Sequence, residues 1–334
     1  MRKAIIIIII VIVVALIFII VKQNSRINSQ ISNSASTAAN NVSSSTNNIP
    51  SSSVGKTEEK TLNFQGLERY YLIHFPSGFD PNKTYPLVLS LHGGGGNPAE
   101  FETKMGFDAL ADQSGYIVVY PAGTGRTKLL TWNPETHIQV YASEHNIDDV
   151  GFIKTLVQQL EKGQKINTNR IYIVGYSNGA MMTQRIASTY PDIFAAAVSV
   201  AGTIGGRANV NAPLKTIQKP ADPFSFMEIH GMQDKTVNYY GGQTSPSIFF
   251  NQSNRIDLSV ADTIKFWTDA DGCASAAPIV TKTSDYTKDF YDKCKNGTNV
   301  TLYSLKNATH DSIWSDPADI SQIIWNFLNN HIRG

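Results

Sequence analysis

The chain has 334 residues, 42 % hydrophobic and 16 % charged, with 28 Lys and Arg against 27 Asp and Glu for a formal net charge of +1. That is ordinary globular composition. A balance this near neutrality offers no broad basic surface for a polyanion, so nucleic acid is excluded as an expected partner.

The first residues depart from that average. Residues 4–21 form an unbroken apolar run, mostly Ile and Val, behind Arg2 and Lys3. As a helix the run is about 27 Å long, close to the hydrocarbon thickness of a bilayer. It exceeds the usual apolar core of a cleaved signal, and no small-x-small cleavage site follows directly. Residues 1–22 therefore read as a signal anchor or signal peptide, with the membrane as partner through residues 4–21. The basic residues in front favour an exported remainder, anchored to the outer face of the membrane or secreted. Residues 23–60 are rich in Ser, Asn and Thr in their first thirty positions, too poor in apolar surface to offset ordering entropy, and read as a disordered tether. Residues 61–334 read as one domain.

Within that domain short apolar runs alternate with helical patterns. Strands are expected at residues 70–75, 86–93, 116–121, 170–176, 195–202, 226–231 and 300–305, most of them too uniformly apolar for a half-exposed sheet. Helical patterns fall at residues 98–111, at 150–162 behind a capping Asp148-Asp149, at 178–190, and at 317–332 with Pro317 suited to the first turn. The alternation predicts an α/β fold with a mostly parallel central sheet and helices on both faces.

Gly175-Tyr176-Ser177-Asn178-Gly179 follows one strand directly and opens a helix. The G-x-S-x-G letters match by chance in roughly one chain of this length in ten. The strand-to-helix position changes their weight, because there a serine is strained outward as a nucleophile. A nucleophile needs a base, an acid that orients it and donors for the oxyanion. "LHGGGGN" at residues 91–97 ends an early strand and matches an HGGG loop, so Gly93 or Gly94, with Asn178, is the candidate oxyanion hole. Asp234 and His310 each lie just past a later strand, in the order Ser, Asp, His that such sheets require. Ser177, Asp234 and His310 are thus the candidate triad. Trp132, Tyr239, Tyr240 and Trp314 are candidates for an aromatic pocket wall, with core packing as the plain alternative. Cys273 and Cys294 are the only cysteines, and an even count in an exported chain suggests a bridge. Glu135, His137, Glu144 and His145 match no standard metal spacing, and no metal or cofactor is expected.

Together "LHGGGGN", "DDVGFI", "GYSNGAMM", "HGMQDKTVNY" and the Cys273…Cys294 pair resemble the exported polyhydroxybutyrate depolymerase and feruloyl esterase type of carboxylesterase. The resemblance runs from about residue 62 to 331. It implies an α/β-hydrolase fold and metal-free serine hydrolysis of carboxylic esters on a polyester or polysaccharide, with Ser177, Asp234 and His310 in the three roles. Two features depart from the pattern. The family's last motif usually reads Gly-Gly-His, one residue, then Trp-Pro-Gly, whereas here Trp314 stands four residues after His310 and no Pro-Gly follows. The extra cysteines often found after "TWN" are absent. Both changes fall on loops expected to line the substrate pockets. Two other functions fit the same scaffold: a serine peptidase of the prolyl-oligopeptidase kind, though no propeller-like repeats precede the domain, and an inactive hydrolase serving as a surface binding module.

Overall fold

The computed structural model describes residues 55–244, 254–273 and 277–334. The apolar run at 4–21 and most of the Ser/Asn/Thr-rich segment lie outside them, and no helix among the described residues is long and apolar enough to cross a membrane.

The chain opens with an antiparallel hairpin of β1 (Lys56–Phe64) and β2 (Leu67–Phe75). Gln65 and Gly66 both take positive φ between the strands, as a two-residue hairpin turn of type I′ requires. Residues 56–60, read from composition as the end of the tether, therefore belong to the sheet. Backbone pairing with β2 holds this strand although its side chains are mostly polar and exposed. Next come β3 (Tyr85–Leu91), α1 (Pro98–Met105), α2 (Phe107–Ser114) and β4 (Ile117–Pro121). The helical pattern at 98–111 proves to be two helices, broken at Gly106, which adopts φ 62° and ends α1. After a long loop containing the single turn α3 (Tyr141–Glu144) come α4 (Asp149–Gly163), β5 (Ile166–Tyr176), α5 (Asn178–Thr189) and β6 (Ala196–Val200). Short strands β7 (Gly205–Arg207) and β8 (Lys215–Thr216) precede β9 (Ser225–Gly231). Strands β10 (Gly242–Gln243) and β11 (Ile256–Asp257) lead to α6 (Val260–Asp271). Strands β12 (Ile279–Lys282), β13 (Tyr286–Tyr291) and β14 (Val300–Leu305), then α7 (Ile320–Asn329), complete the chain. Helix α7 starts three residues after Pro317, capped instead by the Asp319 side chain on the Gln322 amide.

The main sheet has the order β1-β2-β4-β3-β5-β6-β9-β14-β13-β12. Its six central strands, β4 to β14, run parallel, and antiparallel strands finish both edges. A smaller sheet of β10, β11, β7 and β8 lies beside it. Period-2 alternation divides the core in two. Leu87, Leu89, Ile171, Ile173, Ala197 and Phe226 point to one face, where they meet α4, α5 and α6 through Phe152, Met182 and Trp267. Val88, Val118, Tyr172, Val174, Val198 and Met227 point to the other, against α1, α2 and α7 through Phe101, Phe107 and Trp325. Both faces of the parallel strands are buried, which explains why they read as continuous apolar runs. Cys273, just past α6, is bonded to Cys294, beyond β13.

Candidate active site

Strands β5, β9 and β14 are parallel, and each ends in a loop on the same edge of the sheet. Ser177 follows β5, Asp234 follows β9, and His310 follows β14. Ser177 takes φ 55° and ψ −118°, a strained conformation for a residue with a Cβ. The flanking glycines make that turn sterically feasible. A Cβ on Gly175 would lie 2.2 Å from the Gly179 carbonyl oxygen, and one on Gly179 would lie 2.4 Å from the carbonyl oxygens of Leu91 and His92. The serine occupies the N-cap of α5 yet its hydroxyl caps nothing. Instead Ser177 Oγ lies 2.9 Å from His310 Nε2, and His310 Nδ1 lies 2.7 Å from Asp234 Oδ2. The other Asp234 oxygen accepts the amides of Thr236 (2.8 Å) and Val237 (2.9 Å). Burial alone would raise the Asp234 carboxyl, but bonds to His230 and His310 outweigh it and hold it well below the usual carboxylate range. Sequence order proposed these three residues, and the fold brings them into one chain of contacts.

The glycine loop after β3 faces the turn. A Cβ on Gly94 would sit 3.4 Å from the Asn178 Cβ. The amides of Gly95 and Gly96 are spent on Leu130 and Gly93 carbonyls, while among the described residues no backbone bond engages the amides of Gly93 or Gly94. His92 braces this loop. Its Nδ1–H donates to the Gly93 carbonyl (2.8 Å) and its Nε2 accepts the Gly123 amide (3.0 Å). Full burial pulls its pKa down to about 4, so the ring is neutral with a defined tautomer.

The aromatic candidates separate. Trp132 is completely buried and is a core residue, not a pocket wall. Its indole N–H donates to the His92 carbonyl, and its backbone is clamped by the Asn178 side chain through two bonds of 2.7 and 3.0 Å. Trp314 packs edge-on against Tyr176 and Phe101. Tyr239 and Tyr240 line a cleft of about 580 Å³ with Lys265, Asp269, Asp289 and Tyr291, and no triad residue is among its walls. Of the residues weighed as metal ligands, Glu135 pairs with Arg185, the buried His137 with Asp257, and His145 bonds its own helical turn.

The altered loop at His310 is held by other means. Thr309 N donates to Ser312 Oγ (2.9 Å) and Ser312 N donates to Thr309 Oγ1 (3.2 Å), closing a tight turn around the histidine. The Tyr176 hydroxyl donates to the His310 carbonyl (2.7 Å), and the two rings stack at 5.1 Å. Backbone bonds from Met232 to Leu305 and from Gln233 to Ala308 tie the acid loop to the histidine loop. None of these supports is visible as a motif.

The family model described as "Esterase PHB depolymerase" matches residues 69–227. Over that stretch the chain is similar to this family. The family match holds β5, the serine turn and the glycine loop, while Asp234 and His310 lie beyond it. Feruloyl esterase B of Piromyces equi is 26 % identical over 253 residues, 72 % of this chain and 42 % of that protein. Poly(3-hydroxyalkanoate) depolymerase C of Paucimonas lemoignei is 36 % identical over 132 residues, 39 % of this chain and 30 % of that protein. The chain thus spans less than half the length of either relative. The solved acetyl xylan esterase from Aspergillus awamori superposes with a TM-score of 0.56 at 16 % identity, covering 81 % of this chain and 99 % of that one, a likeness of fold.

Proposed function

We propose that this protein is a serine carboxylesterase in which Ser177 is the nucleophile, His310 the base and Asp234 the residue that orients it. The observation that carries the reading is the unbroken contact from Asp234 Oδ2 through His310 to Ser177 Oγ, at 2.7 and 2.9 Å. His310 Nε2 takes the Ser177 proton as Oγ attacks the ester carbonyl carbon. The Asn178 amide, with that of Gly94 or Gly93, receives the oxyanion at the N-terminus of α5. His310 then returns the proton to the leaving alcohol, and the acyl group remains on Ser177. Water activated by the same nitrogen releases the acid and restores the serine. Every proton moves between protein, substrate and water.

The substrate we propose is an ester on a polymer, either a polyhydroxyalkanoate-type polyester or feruloyl or acetyl groups on a polysaccharide, in keeping with the names of the relatives. The apolar run at 4–21 and the tether behind it support action outside the cell, on the outer face of the membrane or in secreted form. A fluorophosphonate probe is expected to label the purified chain on Ser177 and to abolish hydrolysis of p-nitrophenyl acetate. An unlabelled Ser177, or turnover that survives labelling, overturns the reading. Cleavage of proline-containing peptides in preference to esters would favour the peptidase alternative.

A further inference from the structure

A second histidine stands behind the triad. Glu228, His230 and Asp234 are all completely buried. His230 Nδ1 lies 3.0 Å from Glu228 Oε1. Its Nε2 lies 2.9 Å from the Val237 carbonyl oxygen and 3.4 Å from Asp234 Oδ2, the same oxygen that receives His310 Nδ1. Both ring nitrogens therefore face acceptors. The Val237 carbonyl can only accept, so Nε2 carries hydrogen. Glu228 Oε1 also accepts the Gly202 amide (3.2 Å), an acceptor role that suits an N–H at Nδ1, while burial pushes the Glu228 carboxyl up and the bond to His230 pulls it down. Among the described residues the remaining titratable neighbour in ring contact is Tyr239, edge-on at 5.8 Å. Burial opposes a charge on His230, yet the bonds to Asp234 and Glu228 outweigh it and push the group up to about 10.

We propose that His230, charged and backed by Glu228, is a positioning residue of the esterase reaction: it supplies a second N–H to Asp234 Oδ2 and pins the Val237 carbonyl, so that Asp234 stays ionised and aimed at His310. The inference rests on the esterase reading above. The contact also tempers the base. An Asp234 that shares its charge with His230 stabilises the His310 imidazolium less, and His310 releases its proton more readily to the leaving alcohol.

The test compares H230L and H230Q with the unaltered full-length chain on p-nitrophenyl acetate. H230L is expected to lose kcat by about 10- to 100-fold, the worth of a hydrogen bond to a charged group, with KM changed by less than about threefold. H230Q, whose amide can still donate to Asp234, is expected to recover part of that loss. In both variants Asp234 would lose the cation beside it, and its charge would act on His310 alone. His310 would then keep its proton to higher pH, and the acid limb of kcat/KM would move up by about half a pH unit or more. A wild-type kcat with an unmoved acid limb overturns the proposal. So does a loss explained wholly by a smaller folded fraction, because a merely structural role would not move the limb. Histidine-selective ¹⁵N NMR on S177A separates this claim from the esterase reading. His230 is expected to carry protons on both nitrogens up to about pH 8, whether or not the chain hydrolyses esters. A neutral His230 at pH 7 overturns the proposal.

Discussion

The turn that carries Ser177 and the loop that carries His310 deliver two side chains to one 2.9 Å contact by opposite means. The serine turn is local. Its geometry follows from five consecutive residues, two of them glycines against which neighbouring backbone packs at distances no Cβ allows. The histidine loop is held from outside, by the Tyr176 hydroxyl, by the backbone lacing of residues 232–233 to 305–308, and by the reciprocal Thr309–Ser312 turn. A steric constraint is all-or-none, whereas a set of hydrogen bonds can be weakened one member at a time. The two regions should therefore respond differently to substitution.

The largest effect is expected from S177A, which removes the attacking oxygen: kcat on p-nitrophenyl acetate should fall at least about 10⁴-fold with the melting temperature nearly unchanged. G179A probes the steric half of the comparison. Forcing a Cβ against the Leu91 and His92 carbonyls should destabilise by about 3 kcal/mol and abolish most turnover, a joint loss visible in thermal melts and kinetics. On the histidine side S312A removes two bonds of several, those that Ser312 Oγ accepts from Thr309 N and Thr309 Oγ1. It should cost about 1 kcal/mol, or roughly fivefold in kcat, without a comparable fall in melting temperature. Y176F, which loses the bond to the His310 carbonyl but keeps the ring stack, should cost a similar amount or less. If either variant abolished turnover as G179A does, the contrast between the regions would be gone. The bridge at Cys273–Cys294 lies apart from both. C273S/C294S should leave kcat unchanged and lower stability by about 3 kcal/mol on the loop-entropy account, read in chemical denaturation.

How much of this was legible varies with locality. Six of the seven expected runs became the central parallel strands because burial on both faces leaves mostly apolar residues along them, while the run at 70–75 became part of the antiparallel, half-buried β2. Asp148 does cap α4, whereas its neighbour Asp149 turns inward to the buried Arg69 at 2.8 Å, a partner 80 residues away that no cap rule reveals. Strands β12 and β13 carry no clear signal, since β12 is an exposed edge strand and β13, between it and β14, is half-buried with mixed side chains. Helix α6 was also missed, although Ser259 and Asp262 form a capping box at its start. Tyr239, a candidate for a pocket wall or for the core, lines a cleft that holds no triad residue, and an aromatic beside a strand looks alike in sequence whichever surface it meets. His230 carries no sequence signal of its own, and its contact with Asp234 appears only when β9 and its following loop fold back on each other.

By itself the sequence determined the α/β alternation, the strained serine turn and the chain order of Ser177, Asp234 and His310. Those depend on residue type and short spacing, where backbone sterics and hydrophobic period act directly. Only the tertiary structure decided that the three side chains meet, that Trp132 is core, that Thr309 and Ser312 close the loop around His310, and that Glu228 and His230 stand behind Asp234. Those contacts join residues distant in the chain, and their geometry is set by how parallel strands align in the sheet.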